Sequence, residues 1–190
     1  MTYIEALAAR RTQYVLNREL PVSEADVLDT ITEAVRLTPD AFNMRSARAV
    51  IAVGEKQDEL WNAVYDVFGG KVPKEKIDGF RAAYGTVLYF IDENVVKTMQ
   101  ENVPSYAHNF PVWANQANGM AQFAVWTALR SIGVGANLQH YNPVIDAKAK
   151  ELLDIPESWT LIAEMPFGGI GAPAADKDGE NIADRVVVKR

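Results

Sequence analysis

The sequence predicts an α+β fold, a β-sheet flanked by helices. Three observations support it. A continuous apolar run at residues 49–53 and largely apolar runs at 86–91 and 161–165 have the length and composition of buried strands. The stretches between them place apolar residues at helical spacing. Strand–helix–strand crossover units are too few for a regular doubly wound sheet.

The elements follow in order. Thr2 with Glu5 is a capping-box pattern that opens a helix through about Arg11. Ser23 is an N-cap, with Pro21 just outside, and Val27, Ile31, Ala34 and Val35 repeat at helical spacing to about Leu37. Thr38-Pro39-Asp40 stops that helix, and Gly54 ends the strand at 49–53. Leu60, Val64, Val67 and Phe68 share one face of a helix over 55–68 that Gly69-Gly70 terminates. Pro73 opens another helix, with Ile77, Phe80 and Ala83 as apolar positions and Gly85 as its end. The strand at 86–91 is followed by a polar helix over 93–102 and a loop over 104–111.

Residues 112–132 form the longest helical segment, uncharged until Arg130. Its small residues, Ala114, Ala117, Gly119, Ala121, Ala124 and Ala128, suit close packing on more than one side, as in the central helix of a domain or a dimer interface. Pro166 is expected to close the third strand, residues 167–173 to form a flexible loop, and Val186-Val187-Val188 to form a final short strand. With no repeat or linker in view, residues 1–190 are expected to form a single domain.

Composition removes several function classes. Of 190 residues, 19 are basic and 25 acidic, and the net charge of −6 argues against nucleic acid as a main partner. The absence of cysteine excludes disulfides, thiolate catalysis and Cys-ligated metals. His108 and His140 are the only histidines and stand in no paired His/Glu motif, so no metal site is expected. Gly-x-Ser-x-Gly is absent, which leaves hydrolase chemistry without support. No apolar run approaches the roughly 18 residues of a membrane span. The early Glu5 breaks any signal-peptide pattern, and a cytoplasmic protein is expected.

Four segments carry candidate chemistry. Arg10, Arg11 and Thr12, with Tyr14 beside them, place two guanidinium groups and a hydroxyl where they would surround a phosphate. The alternative is a cationic helix end favoured by the macrodipole. The segment Thr38-Pro39-Asp40-Ala41-Phe42-Asn43-Met44-Arg45-Ser46 joins a helix to a strand. Asn43 both donates and accepts, matching the polar edge of a flavin pyrimidine, and Arg45 offers charge to a ring that becomes anionic on reduction. The alternative is a helix stop with an Asn turn.

In Gly133-Val134-Gly135 the glycines follow a long helix and precede an apparent strand, the reverse of a dinucleotide fingerprint, which therefore fails. They end the helix and let backbone approach a partner, with Asn137, Leu138, Gln139, His140 and Tyr141 next in line. The alternative is a plain turn. Finally, Lys177 or Arg185 would complete a phosphate site behind the run 167–173, the alternative for Lys177 being a solvated surface residue.

Taken in order, these segments resemble the FMN-dependent nitroreductase family. That family shows an Arg-Arg/His-Ser/Thr cluster, a Pro-Ser-x-x-Asn-x-Gln loop, a Gly-x-Gly after a central helix and a late basic residue. The corresponding positions here are Arg10-Arg11-Thr12, Pro39 through Arg45, Gly133-Val134-Gly135 and Lys177. The run from Gly135 to Pro143, with Met165-Pro166-Phe167-Gly168-Gly169, is most similar to copper-induced bacterial and yeast fatty-acid-repression-type members. Asp40 stands where the family usually has Ser, and Arg45 where it has Gln; the two charges are placed to compensate each other.

The resemblance implies a central mixed, mainly antiparallel sheet with the long helix at a homodimer interface and two FMN sites there. Arg10, Arg11, Thr12 and Lys177 would hold phosphate. Asn43 and its neighbours Pro39, Asp40, Ala41 and Arg45 would reach the flavin of the other subunit, and residues 139–141 would lie near its reactive N5. NADH or NADPH would give hydride to FMN, and a nitroaromatic or quinone would then accept electrons from the same pocket. Such an enzyme needs no protein acid or base, because flavin N5 carries the chemistry. His108, Phe110 and Trp113, with Tyr14, are candidates for shaping the substrate pocket. A flavin-binding regulatory or sequestering protein with little turnover is the alternative, and an acidic α+β protein without flavin a third.

Overall fold

The structure is a computed structural model, and it describes residues 1–176, 179 and 181–190. Helix α1, Tyr3–Ala9, opens on the expected capping box: Thr2 Oγ1 accepts from the Glu5 amide, and the Glu5 carboxylate accepts from the Thr2 amide. Strand β1, Leu16–Asn17, precedes helix α2, Glu24–Leu37, which is capped by Ser23. Strand β2, Ala47–Val53, leads into α3, Glu55–Phe68, which ends on left-handed Gly69. Helix α4, Lys74–Arg81, strand β3, Gly85–Asp92, and helix α5, Glu93–Asn102, follow as expected. Helix α6, Phe110–Ser131, is the long one. Strand β4, Gly135–Ala136, helix α7, Asp146–Leu153, and strand β5, Trp159–Ile170, complete the order. Strand β1 and helix α7 add to the elements expected, and the strand expected after the glycines is the short β4.

The sheet runs β1-β5-β3-β2, with β4 also paired to β5. Every ladder is antiparallel; the parallel pairing among the described residues is the bridge between Thr12 and Ala136. Strand β3 explains the layering. Its successive side chains point to opposite faces. Leu88 and Phe90 pack with Leu60 and Trp61 of α3 and Ile77 and Phe80 of α4, while Val87 and Tyr89 pack with Val27 and Ile31 of α2 and Val125 and Leu129 of α6. Both faces are therefore covered by helices, and the continuous apolar run of β3 is the consequence. No helix among the described residues is long and apolar enough to cross a membrane.

Helix α6 buries Phe110, Ala114, Ala117, Ala121, Val125 and Leu129 on one side. Val112, Met120 and Phe123 stand exposed on the other. Two buried amides on this helix are satisfied internally: Asn118 Nδ2 donates to the Phe90 carbonyl (2.9 Å), and Gln122 Nε2 to Asn118 Oδ1 (2.7 Å).

Three expectations are corrected. Val186, Val187 and Val188 form no strand; they are exposed and have no regular structure, so their β-branched character finds no edge to pair with. Pro166 does not end β5, which continues to Ile170. Glu164 exchanges both backbone hydrogen bonds with Gln139, so Pro166 turns its missing N–H to that same side, where the pairing is an isolated bridge rather than a full ladder. Its carbonyl still accepts from the Asn137 amide (3.1 Å).

Residues 167–170 are accordingly strand rather than flexible loop. Gly168 and Gly169 are there because the chain around β1 crosses them closely. A Cβ on Gly168 would stand 2.3 Å from the Asn17 carbonyl oxygen, and one on Gly169 2.0 Å from that of Glu19. Both obstacles are backbone and cannot swing away. Gly169→Ala should lower stability by about 1–3 kcal/mol, as overpacking does. Thermal unfolding measures it, and an unchanged midpoint would contradict this account of β5.

Candidate functional site

The two segments most suggestive in the sequence meet in space. Helix α1 ends at Ala9, whose carbonyl accepts from Arg130 Nε of α6 (3.0 Å), so the chain leaves the helix at a defined place. The Gln13 amide then donates to the Ala136 carbonyl (3.0 Å), and Asn137 Nδ2 donates to the Gln13 carbonyl (2.8 Å). Asn137 Oδ1 in turn accepts from Gln139 Nε2 (2.8 Å). Asn137 is fully buried, so its amide stitches these segments together from inside. Gly133 has a φ of 85°, which turns the chain out of α6. Gly135 permits close approach, but to the protein itself: a Cβ there would lie 2.7 Å from Ile170 Cγ1 and 2.9 Å from Leu16 Cδ2.

Beside this junction lies a hollow of about 680 Å³ whose lining includes Arg10, Arg11, Thr12, Tyr14, Ala175 and Asp176. Arg11 Nη2 donates to the Ala175 carbonyl (2.5 Å), closing one rim. The Arg10 guanidinium lies 4.4 Å from the Trp126 ring centre and 5.8 Å from that of Phe123, a cation–π seat on α6. Arg10 Nε is buried and has no hydrogen-bond partner. Burial first, and then the neighbouring Arg11 charge, push the Arg10 pKa down. Among the described residues neither arginine forms an ion pair. Two adjacent cations, one with an unmet N–H, fit an anionic group such as a phosphate.

The loop between α2 and β2 lines a separate hollow of about 480 Å³, with Thr38, Pro39, Asp40, Asn43 and Arg45 on its wall. It shares no lining residue with the first. Phe42, Asn43 and Arg45 adopt φ of 54°, 53° and 55°. Left-handed backbone costs roughly 1–2 kcal/mol per ordinary residue, less for Asn, so the loop shape is imposed by its contacts. Asp40 supplies one: its Oδ2 accepts from both the amide and the hydroxyl of Ser46, each at 2.7 Å. Asp40 is therefore engaged by Ser46 rather than by Arg45, whose Nε reaches Asn43 Oδ1 at 3.4 Å. Ala41 packs half-buried beside Met44.

Phe42 supplies the other contact. Its ring stacks on Trp113 (5.9 Å between centres) and meets Phe110 edge-on (5.5 Å) and Tyr106 (6.0 Å). Phe110 itself is fully buried, so it supports this aromatic cluster from below, while Phe42 remains 56% exposed and His108 is exposed. Sequence reasoning missed Phe42; the available signal was a large aromatic residue in a short loop beside Asn43. Leu138 packs into the core beside the sheet, and His140 is exposed. Arg185 sits exposed at the end of the C-terminal turn Ile182–Asp184. Lys177 lies outside the described residues.

Glu164 was also missed, although a lone acid inside the apolar run 161–165 was its signal. It is fully buried on β5 opposite Leu88. Its Oε2 accepts from the Tyr141 amide (3.0 Å), while Oε1 has no partner. Burial is the main cause that raises its pKa to about 8; Asp146 adds to the rise and the Tyr141 amide opposes it.

Sequence comparison matches residues 7–169 to the profile of the Nitroreductase family. The chain belongs to the nitroreductase family. Its relatives include the nitroreductase FRM2 of Saccharomyces cerevisiae, 38% identical over 169 residues that make up 87% of this chain and 86% of that protein. Nitroreductase CinD from Lactococcus lactis, solved in complex with chloramphenicol, superposes with a TM-score of 0.95 at 45% identity, covering 100% of both chains. The same protein in complex with 4-nitrophenol gives a TM-score of 0.91 at 44% identity, again covering 100% of both chains. The NADPH:FMN oxidoreductase from Vibrio harveyi, complexed with NAD+, shares the fold at 17% identity, with a TM-score of 0.75 over 99% of this chain and 77% of that one. The nitroreductase fold expected from the four motifs is thus the fold observed.

In this member of the nitroreductase family Glu164 imposes a pH dependence on stability. Its folded pKa of about 8 lies above the ordinary carboxyl value of 4.5, so between these pH values the folded chain holds a proton that the unfolded chain has released. The stabilisation is complete below the lower value and is lost as pH rises through the upper one, by at most ~1.4 kcal/mol per pH unit. Asp146, whose pKa burial also raises, adds to it with the same sign. Denaturant unfolding from pH 5 to 9 should show this decline, and Glu164→Gln should flatten it. A variant as steep as the parent would contradict the assignment.

Proposed function

We propose that the chain is a single FMN-binding domain and an FMN-dependent NAD(P)H oxidoreductase that reduces nitroaromatic or quinone-type acceptors. The observation that carries this reading is the junction of residues 10–14 with residues 136–139 beside a hollow holding two arginines that form no ion pair among the described residues. Family membership and the 4-nitrophenol complex of a relative 44% identical support the chemistry and the acceptor class. Bound FMN would accept hydride from NADH or NADPH at N5 and pass the electrons to the acceptor in a ping-pong cycle. The residues supply binding and orientation: Arg10, Arg11 and Thr12 hold phosphate, Trp126 aims Arg10, and Lys177 and Arg185 are the late basic candidates. Gln139 and His140 form the edge expected to meet the ring, and buried Asn137 and core-packed Leu138 shape that edge from behind.

The working form in this proposal is a homodimer. The loop of residues 38–45 lines its own hollow in one copy, so it reaches a shared flavin only across an interface. A third hollow of about 530 Å³, with Tyr3, Leu37, Met120 and Phe123 among its walls, and the exposed Val112 give that interface an apolar face along α6. Phe42 and Trp113 would then flank the acceptor pocket, with His108 at its rim. The proposed location is the cytoplasm.

Purified protein should show flavin absorption, with or without added FMN, that NADH or NADPH bleaches under anaerobic conditions. A spectrum that stays unbleached would favour a flavin-binding regulator, and no flavin uptake would overturn the proposal. Arg11→Ala should weaken FMN binding by about 10- to 150-fold, the equivalent of one lost charge-assisted hydrogen bond. Fluorescence titration of FMN checks it, and parental affinity would remove Arg11 from the phosphate site.

A further inference from the structure

The backbone hydrogen bonds that Gln139 and Tyr141 make run to one neighbour, Glu164. The Gln139 amide donates to the Glu164 carbonyl (2.7 Å), and the Glu164 amide donates to the Gln139 carbonyl (3.0 Å). Two residues on, the Tyr141 amide donates to the Glu164 carboxyl (3.0 Å). Glu164 thus grips both ends of the segment, with exposed His140 at its apex. The Tyr141 ring is wedged edge-on against Trp61 (5.7 Å) and Phe68 (5.4 Å), which anchors the far end in the core.

An apolar residue at position 164 would preserve the backbone pairing with Gln139. It would leave the buried Tyr141 N–H without an acceptor, at a cost of about 1–3 kcal/mol. The carboxyl is therefore explained by that amide, since the strand position itself, opposite Leu88, calls for a hydrophobe. The groups around it are few. Asp146 faces it from the start of α7 and Tyr141 from the connecting segment; Lys150 acts on Asp146, and Lys76 of α4 lies 5.9 Å from the centre of the Tyr141 ring. The Tyr141 hydroxyl and Asp146 Oδ1 are buried without partners.

We propose that Glu164 is a positioning residue: its carboxyl fixes residues 139–141, and thereby presents their backbone to the flavin ring. The inference rests on the flavin reading above. It assigns the segment's shape to a side chain on the adjacent strand rather than to the Gly-rich turn before it. Because the carboxyl holds its proton up to about pH 8, the grip on Tyr141 is that of a neutral acid at neutral pH and of a stronger, charged acceptor above it.

The test is amide hydrogen exchange and chemical shift of residues 139 and 141 by NMR on the purified protein, in the parent, Glu164→Gln and Glu164→Leu. In the parent both amides should be protected, and the Tyr141 amide shift should titrate near pH 8. Glu164→Leu should speed exchange at Tyr141 at least tenfold more than at Gln139, whose acceptor is backbone. Glu164→Gln should restore the protection and abolish the titration, which keeps the test alive if the Leu variant does not fold. With FMN added, Glu164→Leu should shift the flavin absorption bands and raise KM for the acceptor more than it lowers kcat, and the Gln variant should do neither. Equal acceleration of both amides, or a Tyr141 shift that still titrates in Glu164→Gln, would overturn the proposal. Failure of the parent to take up flavin would instead overturn the flavin reading, and the absorption spectrum separates the two.

Discussion

Strand β5 forms hydrogen bonds along both of its edges, and the site hangs from that double pairing. On one edge it meets β3 from Trp159 to Phe167. On the other it holds, in sequence, the bridge to Gln139, strand β4 and strand β1. The N-terminal arginines and the Gly-rich segment are far apart in the chain and come together because both are stitched to this second edge or to its neighbours. Glycine at 168 and 169 makes the crossing possible by removing side chains where the backbone near β1 passes. A sheet edge that would otherwise expose unpaired N–H and C=O groups is covered, and the cover is the candidate site.

Three features of the site oppose stability. Arg10 and Arg11 stand side by side, each raising the cost of the other's charge, with no ion pair among the described residues. Residues 42, 43 and 45 share left-handed backbone. Glu164 is a carboxyl sealed inside the sheet. Each has a compensating contact: Trp126 seats one arginine, the Phe42 ring meets Trp113, Phe110 and Tyr106, and the Tyr141 amide engages the acid. Such concentrations of local cost are characteristic of ligand-binding regions, where the ligand supplies the missing partner. The rest of the molecule, a sheet whose two apolar faces are covered by helices, supports the strain.

Much of the fold was legible because the signals were local. The capping box at Thr2 and Glu5, the helix stop at Gly69 and the apolar runs of β2 and β3 each lie within a few residues of the structure they specify. Errors arose where a distant partner decided. Pro166 reads as a strand end, yet its empty N–H position faces a single bridge, which the local sequence does not show. Residues 167–170 read as a Gly-rich loop, yet their glycines answer to backbone about 150 residues earlier in the chain. Val186, Val187 and Val188 have strand propensity and no strand to join. In the site, the charge and hydroxyl of Arg10, Arg11 and Thr12 and the ambivalent amide of Asn43 were visible as chemistry. Phe42 and Glu164 were not, because an aromatic side chain in a loop and an acid in a strand acquire meaning only from what surrounds them.

The sequence by itself determined helices α1 to α6, the central strands, the exclusion of thiol chemistry and the motifs that mark the nitroreductase family, since these depend on residue type and short spacing. Only the tertiary structure decided that Asp40 answers to Ser46 and not to Arg45, that Asn137 is an internal tie, and that the arginine cluster and the loop of Asn43 line separate hollows within one chain. The physical reason is the same in each case. A hydrogen bond or a buried charge takes its value from the partner and the dielectric around it, and both are set by contacts between residues that the order of the chain leaves far apart.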